Sequence, residues 1–302
     1  MERLFEQQNP GIDVQWLDMG SQDIVDRLRS EKANPQADIW FGAPNTMFSQ
    51  IAREGLLQSY RPAWADHVPP EARGEGENWY GTYFTPEVIG FNSKAVQGDT
   101  IPRDWDDILL PRWKGRIILR DPVASGTLRT IFGAMLFRAR QTGSPEKGFD
   151  WLRRLDANTK EYVANSTLLF QKMARGEADI TLWNMPDMEL QRELYHYPFD
   201  YVFPSSGTPF LTEGIALVRG GRNGESARRY YEFVTSKESM ALAARTPYFR
   251  IPARDDIAPS ELPERIARAR AQAHMNLDWK MLEEETPGWM KRWENEIKGS
   301  AK

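Results

Sequence analysis

The chain has 302 residues, 40% apolar and 27% charged, a composition that predicts a soluble globular protein with room for two lobes or one large α/β unit. Its net charge of −4, with the two signs interspersed, argues against the basic face that nucleic acid or an anionic membrane surface requires. The lack of cysteine excludes disulfides and thiol catalysis, and no stretch has the roughly 20 apolar residues of a spanning helix.

The first part of the chain alternates helical and strand patterns. Residues 1–8 predict a helix, which the following Pro-Gly pair ends. Apolar residues that alternate over 12–16 predict a strand, residues 21–30 return to helical spacing, and the run 38–42 predicts a buried strand. Strands that alternate with helices in this way are typical of βαβ units, so we expect an α/β protein with mostly parallel sheets flanked by helices.

The same alternation continues through the rest of the chain. Predicted strands lie at residues 88–91, 117–119, 180–183 and 215–218, and predicted helices at 127–140, 168–175 and 224–234. Beyond Pro247 the pattern is helical and charged. No low-complexity linker interrupts the chain, and we therefore expect any two lobes to be joined by short strands.

Motifs for catalysis are missing from the sequence. Three histidines, His67, His196 and His274, give poor support to a Ser–His arrangement, and neither G-x-S-x-G nor a P-loop nor H-E-x-x-H occurs. The acidic pairs at 106–107 and 255–256 lie in turns, where solvation explains them. We predict that the protein is not an enzyme.

Eight sequence blocks, taken together and in order, resemble one protein family. They lie at residues 5–14, 37–42, 79–92, 101–117, 121–127, 174–180, 213–218 and 233–238. With these eight blocks the chain resembles the type II periplasmic solute-binding proteins of ABC importers. Within that family it is similar to the group that includes ferric-iron and phosphorylated-solute receptors. No cofactor belongs to such a receptor.

The resemblance implies a two-lobed fold with a ligand cleft between the lobes. Lobe 1 would hold residues 1–88 and 212–302, and lobe 2 residues 89–211. The protein would act as a monomer outside the cytoplasm, periplasmic or membrane-anchored, close over a small solute and present it to a membrane permease. Families of this kind begin with a strand that follows an export signal, and we expect that strand to be missing ahead of Met1.

Two predicted helices begin with small polar residues that suit an anion. Free N–H groups and the helix dipole at such a start attract a phosphate, a phosphonate or a carboxylate, and plain helix capping is the alternative for both. The predicted ligand contacts at the two starts are Ser125, Gly126, Thr127, Asn165, Ser166 and Thr167.

Further predicted contacts follow two buried strands. Trp40, Gly42 and Asn45 lie at the carboxyl end of one strand, where open α/β sheets bind ligands, although Trp40 also fits a core position. Trp183 and Asn184 end a second strand, and the Asn184 amide suits a ligand oxygen.

Two charged residues complete the predicted contacts. The Arg120 guanidinium suits an anion, with a salt bridge as the alternative, and Glu213 suits a ligand hydroxyl or amine, or else stabilises the second crossing between lobes. The tyrosine pair that holds iron in the ferric receptors is not found after Asn184. The predicted ligand is therefore a phosphorylated or phosphonate solute. Ferric ion or a neutral sugar is the alternative, and an enzyme of the same fold is a distant third.

Overall fold

The computed structural model describes residues 1–300, which form two compact units. Unit 1 comprises Met1–Phe84 and Leu211–Arg270. Unit 2 comprises Thr85–Phe210 and the described residues from Ala271 onward. The chain therefore passes between the units three times, twice within strands close to the predicted crossings.

Unit 1 contains six α-helices, and its strands come both before and after the part of the chain that forms unit 2. In chain order the elements are α1 (Glu2–Gln8), α2 (Ser21–Ser30), β1 (Ile39–Pro44), α3 (Asn45–Arg53), β2 (Leu57–Gln58), the first half of β3 (Tyr80–Asn92), most of β8 (Phe210–Val218), α8 (Gly224–Val234), α9 (Lys237–Ala243), β9 (Ile251–Pro252) and α10 (Glu264–Arg270). The predicted helices α1, α2 and α8 are found within a residue of their expected bounds.

The strand β8 organises the unit 1 sheet. Both β1 and β2 pair with β8 antiparallel, and β9 pairs antiparallel with the first half of β3. Hence the pairs described in unit 1 are antiparallel, which differs from the mostly parallel sheet expected in each lobe. The difference arises because β3 leaves unit 1 whereas β8 returns to it, and the sequence pattern of a buried strand does not reveal its direction.

The strand predicted over residues 12–16 is not formed. This segment alternates apolar and polar residues but pairs with no strand among residues 1–300, and the Val14 N–H donates to Glu6 Oε1 at 2.9 Å instead. Trp16 and Leu17 are 71% and 64% exposed. The prediction was wrong because alternation marks a strand only where a neighbouring strand supplies hydrogen bonds and a core covers one face.

Unit 2 holds the remaining strands and helices. They are the second half of β3, β4 (Ile117–Arg120), α4 (Gly126–Gln141), α5 (Pro145–Asn158), β5 (Thr159–Val163), α6 (Ser166–Ala174), β6 (Ile180–Asn184), α7 (Met185–Tyr195), β7 (Phe199–Val202) and α11 (Trp279–Glu296). The predicted helices at 127–140 and 168–175 correspond to α4 and α6.

Three neighbouring strands of unit 2 are parallel. The central strand β4 pairs in parallel with β5 on one side and with β6 on the other. The sheet continues from β6 to β3 and then to β7 through antiparallel pairs. Because β4, β5 and β6 run in one direction, their carboxyl ends lie along the same edge of the sheet.

The C-terminal helix α11 packs on α4 within unit 2. The Phe132 and Trp293 rings meet edge to face at 5.6 Å, and an added Cβ at Gly133 would lie 3.1 Å from Thr286 Oγ1, so glycine allows α11 to approach. The sequence assigned residues 212–302 to lobe 1, whereas α11 lies in unit 2. Its tryptophans indicate that it is buried but do not indicate against which element.

Within residues 1–300, no helix combines the length and apolar character needed to cross a bilayer.

Candidate functional site

The parallel strands of unit 2 are each followed by a helix that begins at the same edge of the sheet. The strand β4 leads to α4, β5 leads to α6, and β6 leads to α7. Neighbouring strands lie about 4.8 Å apart, so the three helix starts come together. The positive ends of several helix dipoles at one edge make an anion site.

The start of α4 leaves two backbone donors available. Ser125 is the buried N-cap, and its Oγ accepts the Leu128 N–H at 3.3 Å. The N–H groups of Gly126 and Thr127 have no acceptor within residues 1–300, and neither does the Thr127 hydroxyl. Of the three predicted contacts in this block, Gly126 and Thr127 thus offer free donors, whereas the Ser125 side chain caps the helix.

The start of α6 repeats this arrangement. Asn165 is the N-cap, and its Oδ1 accepts the Leu168 N–H at 2.9 Å. The N–H groups and hydroxyls of Ser166 and Thr167 have no partner in the described part of the chain. Neither α4 nor α6 carries an acidic residue in its first turn. Since acidic residues favour this position, their absence at both starts leaves the positive dipole ends uncompensated.

Arg120 adds a positive charge at the same edge. It is the last residue of β4 and lies opposite Val163, the last residue of β5. Its Nε is buried, and no hydrogen-bond partner for it exists among the 300 described residues. The adjacent Asp121 carboxylate is compensated, because Lys298 Nζ donates to it at 2.6 Å. A buried guanidinium N–H without a partner is costly, so an anion at this edge would relieve it.

The start of α7 differs from the other two. Its N-cap Asn184 accepts the Asp187 N–H at 2.9 Å, and the Asp187 carboxylate in turn accepts from Asn184 Nδ2 at 3.0 Å and from Trp183 Nε1 at 2.9 Å. The carboxylate also compensates the dipole of α7. Trp183 and Asn184 thus have partners within the protein, and the anion-binding potential of this edge lies at α4 and α6.

In unit 1, the end of β1 and the start of α3 hold three predicted contacts. Trp40 is buried and stacks on Phe48 of α3 at 4.0 Å between ring centroids, which places its ring in the core of unit 1. Gly42 has φ +77°, a conformation that favours glycine, and an added Cβ there would meet nothing within 4 Å. Asn45 opens α3 and is 5% exposed.

Glu213 lies beside this helix start and forms an ion pair. It is the β8 partner of Pro44, and the Arg250 Nη1 lies 3.2 Å from its Oε1. Tyr83 is buried nearby in the same unit, and this burial raises the pKa of its phenol. Sequence reasoning missed Arg250 and Tyr83, because nothing in a single sequence indicates that residues 83, 213 and 250 meet.

One group of side chains in unit 1 has the composition of a metal site. Ligand atoms of His67, Asp255 and Asp256 lie within 4.8 Å of one another. Asp256, however, accepts two hydrogen bonds from Arg254, which lower the pKa of its carboxyl to about 2, and Lys237 Nζ lies 3.3 Å away. Two cations already compensate this carboxylate, so the group is explained by ion pairing.

Comparison with known proteins places the chain in a family. The model of the family described as bacterial extracellular solute-binding protein matches residues 34–276. The chain belongs to this family. A probable ABC transporter periplasmic-binding protein of Sinorhizobium fredii is 24% identical over 95% of this chain and 80% of its own length.

Two further similarities bear on fold and function. A Salmonella typhimurium protein, named as a candidate 2-aminoethylphosphonate-binding periplasmic protein, is 27% identical over 86% of this chain and 75% of its own length. The solved periplasmic binding protein P5PA is 27% identical, with a TM-score of 0.78, over 98% of this chain and 94% of that one. The predicted two-lobed α/β fold is confirmed. This solute-binding protein is the receptor component of an ABC importer, with a small-molecule solute and a membrane permease as partners.

Proposed function

We propose that this solute-binding protein captures a small phosphorylated or phosphonate solute by closing its lobes on it, outside the cytoplasm. The observation that carries the proposal is the pair of helix starts at the carboxyl ends of β4 and β5. Both offer free N–H groups and hydroxyls, both lack an acidic first turn, and the buried Arg120 Nε lies at the same edge. This set donates hydrogen bonds and carries positive charge, which matches the oxygens of a tetrahedral anion.

The buried Arg120 Nε favours a solute anion over simple capping of the two helices. Capping requires one oxygen per helix start, and Ser125 and Asn165 supply it. The remaining N–H groups and the hydroxyls of Thr127, Ser166 and Thr167 lie at helix starts that water can reach, so capping leaves only the buried Arg120 Nε unexplained. A phosphate or phosphonate group accepts several such bonds at once.

Ferric ion, the alternative ligand, requires phenolate or carboxylate oxygens, and the tyrosines around His196 give poor support to such a site. The Tyr195 and Tyr197 rings stack on each other at 5.8 Å. The Tyr201 hydroxyl donates to Glu189 at 2.7 Å, and burial raises the pKa of this phenol, which opposes the phenolate form that binds iron. A neutral sugar would leave the charge of Arg120 uncompensated.

Thermal unfolding with a ligand panel tests the proposal. The panel contains inorganic phosphate, methyl phosphate, glucose 6-phosphate, 2-aminoethylphosphonate, glucose and ferric citrate. A ligand at 100 times its dissociation constant stabilises the folded protein by about 2.7 kcal/mol, which corresponds to a shift of about 5 °C in Tm. We expect shifts with the phosphorylated or phosphonate compounds and none with glucose.

Other outcomes of the panel would contradict the proposal in distinct ways. A shift with ferric citrate but with no phosphorus compound would favour an iron receptor. A shift with glucose equal to that with glucose 6-phosphate would show that the phosphate group does not contribute to binding. We further propose that the protein acts as a monomer, as its resemblance to solute-binding proteins implies. Its charge balance argues against nucleic acid as a partner, and its lack of catalytic motifs argues against catalysis.

A further inference from the structure

The start of α3 in unit 1 contains an unsatisfied buried acceptor. Asn45, the first residue of this nine-residue helix, is 5% exposed, and its Oδ1 has no hydrogen-bond partner within residues 1–300. Buried amide oxygens normally accept a hydrogen bond, and leaving one unpaired costs free energy. The Asn45 Oδ1 at the carboxyl end of β1 is therefore an acceptor without a hydrogen-bond donor.

Core packing fixes the position of this acceptor. Phe48, one turn along α3, stacks on Trp40 of β1 at 4.0 Å. An added Cβ at Gly214 of β8 would lie 2.8 Å from the Phe48 ring, so the absence of a side chain there lets Phe48 lie directly on β8. Both contacts hold the first turn of α3 against the sheet, which makes Asn45 a rigid part of the unit.

The charges around Asn45 decide which kind of donor fits. The N-cap Pro44 supplies no side-chain cap, and the first turn of α3 has no acidic residue, so the positive end of the helix is uncompensated. Glu213, which faces Pro44 across the sheet, is neutralised by Arg250 at 3.2 Å. A cationic donor such as an ammonium group would meet the positive end of α3 there, while the nearby Glu213 carboxylate is already paired with Arg250. A neutral hydroxyl donates to Asn45 Oδ1 without this repulsion.

We infer that the start of α3 binds a hydroxyl group of the solute. The inference rests on the proposed function and narrows it: the solute carries hydroxyl groups in addition to its anionic group, which makes it a phosphorylated polyol or sugar and not an aminophosphonate.

Calorimetric titration of the wild type and Asn45→Ala with three probes tests the inference. The probes are glucose 6-phosphate, methyl phosphate, which has an anion but no carbon-bound hydroxyl, and 2-aminoethylphosphonate. The wild type is expected to bind glucose 6-phosphate at least about tenfold more tightly than either other probe, the scale of one or two hydrogen bonds to a buried group. Asn45→Ala is expected to remove this preference and to leave the affinity for methyl phosphate unchanged.

Asn78→Ala is the matched control. Asn78 also has a buried Oδ1 without a partner, but it lies in a turn, where its Nδ2 donates to the Glu75 carbonyl at 2.5 Å. This variant is expected to bind all three probes as the wild type does. Asn45→Asp keeps the acceptor and adds a negative charge, so it is expected to shift the preference towards 2-aminoethylphosphonate.

The possible failures are distinguishable. If the wild type binds methyl phosphate but prefers 2-aminoethylphosphonate to glucose 6-phosphate, the hydroxyl inference is overturned and the proposed function stands. An equal loss for all three probes in Asn45→Ala would also overturn it, because such a loss indicates a structural role. If the wild type binds none of the three probes, the proposed function itself fails.

Discussion

Gly126→Val is expected to weaken the binding of a phosphorylated solute by about 100-fold or more while the free protein stays as stable as the wild type. Gly126 is the first residue of α4, and an added Cβ there would meet no protein atom within 4 Å. Its backbone is not in the left-handed region, so valine introduces no strain. The new side chain would occupy the space through which an anion reaches the N–H groups of Gly126 and Thr127. The loss of two hydrogen bonds to a charged group corresponds to about this factor.

Gly224→Val provides a matched control for this experiment. Gly224 is the first residue of α8, and an added Cβ there also meets nothing within 4 Å. The two variants share the glycine-to-valine change at the first position of a helix, so their effects on the unfolded state are alike. Binding is measured by calorimetric titration with glucose 6-phosphate, and stability by urea unfolding. If Gly126→Val binds as tightly as Gly224→Val, the start of α4 does not contact the anion.

Arg120→Gln is expected to weaken solute binding by about 10-fold to 100-fold and to reduce its dependence on salt. The wild-type guanidinium has a buried Nε without a partner, and its loss removes a charge-assisted hydrogen bond to the anion. Without ligand, the variant is expected to be at least as stable as the wild type, since it no longer buries an unpaired charged donor. Titration with glucose 6-phosphate at two salt concentrations, together with urea unfolding of the free proteins, measures both effects.

Arg140→Gln is the control for Arg120→Gln. Arg140 is also in unit 2 but forms an exposed ion pair with Glu285 at 3.1 Å, a type of pair that contributes little. Its replacement changes the net charge equally and is expected to leave the affinity within about twofold. If both variants lose affinity to the same extent, the effect is one of overall charge, and Arg120 is not a contact.

The sequence predicted most helices and strands because their patterns are local. The helices α2 and α8 have the predicted bounds, and α4 differs by one residue at each end. The failures occurred where long-range pairing decides the structure. Apolar and polar residues alternate over 12–16 as in a strand, but this segment pairs with no strand among residues 1–300. The helix α11 packs on α4, although nothing in the sequence indicates that partner.

The candidate site was predictable to the extent that it consists of helix starts. Small polar residues before apolar helical runs indicated α4 and α6, and the structure brings these starts to one edge of a parallel sheet. The sequence could not distinguish the capping role of Ser125 from the free donors of Gly126 and Thr127, because this depends on which groups bond within the turn. Nor could the sequence show that Asn184 forms hydrogen bonds with Asp187, or that Arg250 forms an ion pair with Glu213.

We expect the starts of α4 and α6 to hold the anionic group of the solute. The most direct test is to follow the backbone amide resonances of deuterated, ¹⁵N-labelled protein during titration with glucose 6-phosphate and, separately, with inorganic phosphate. With inorganic phosphate, we expect the largest downfield shifts at Gly126, Thr127, Ser166 and Thr167, whose N–H groups have no acceptor among residues 1–300 of the free protein. Saturable binding that leaves these four amides unshifted would contradict it.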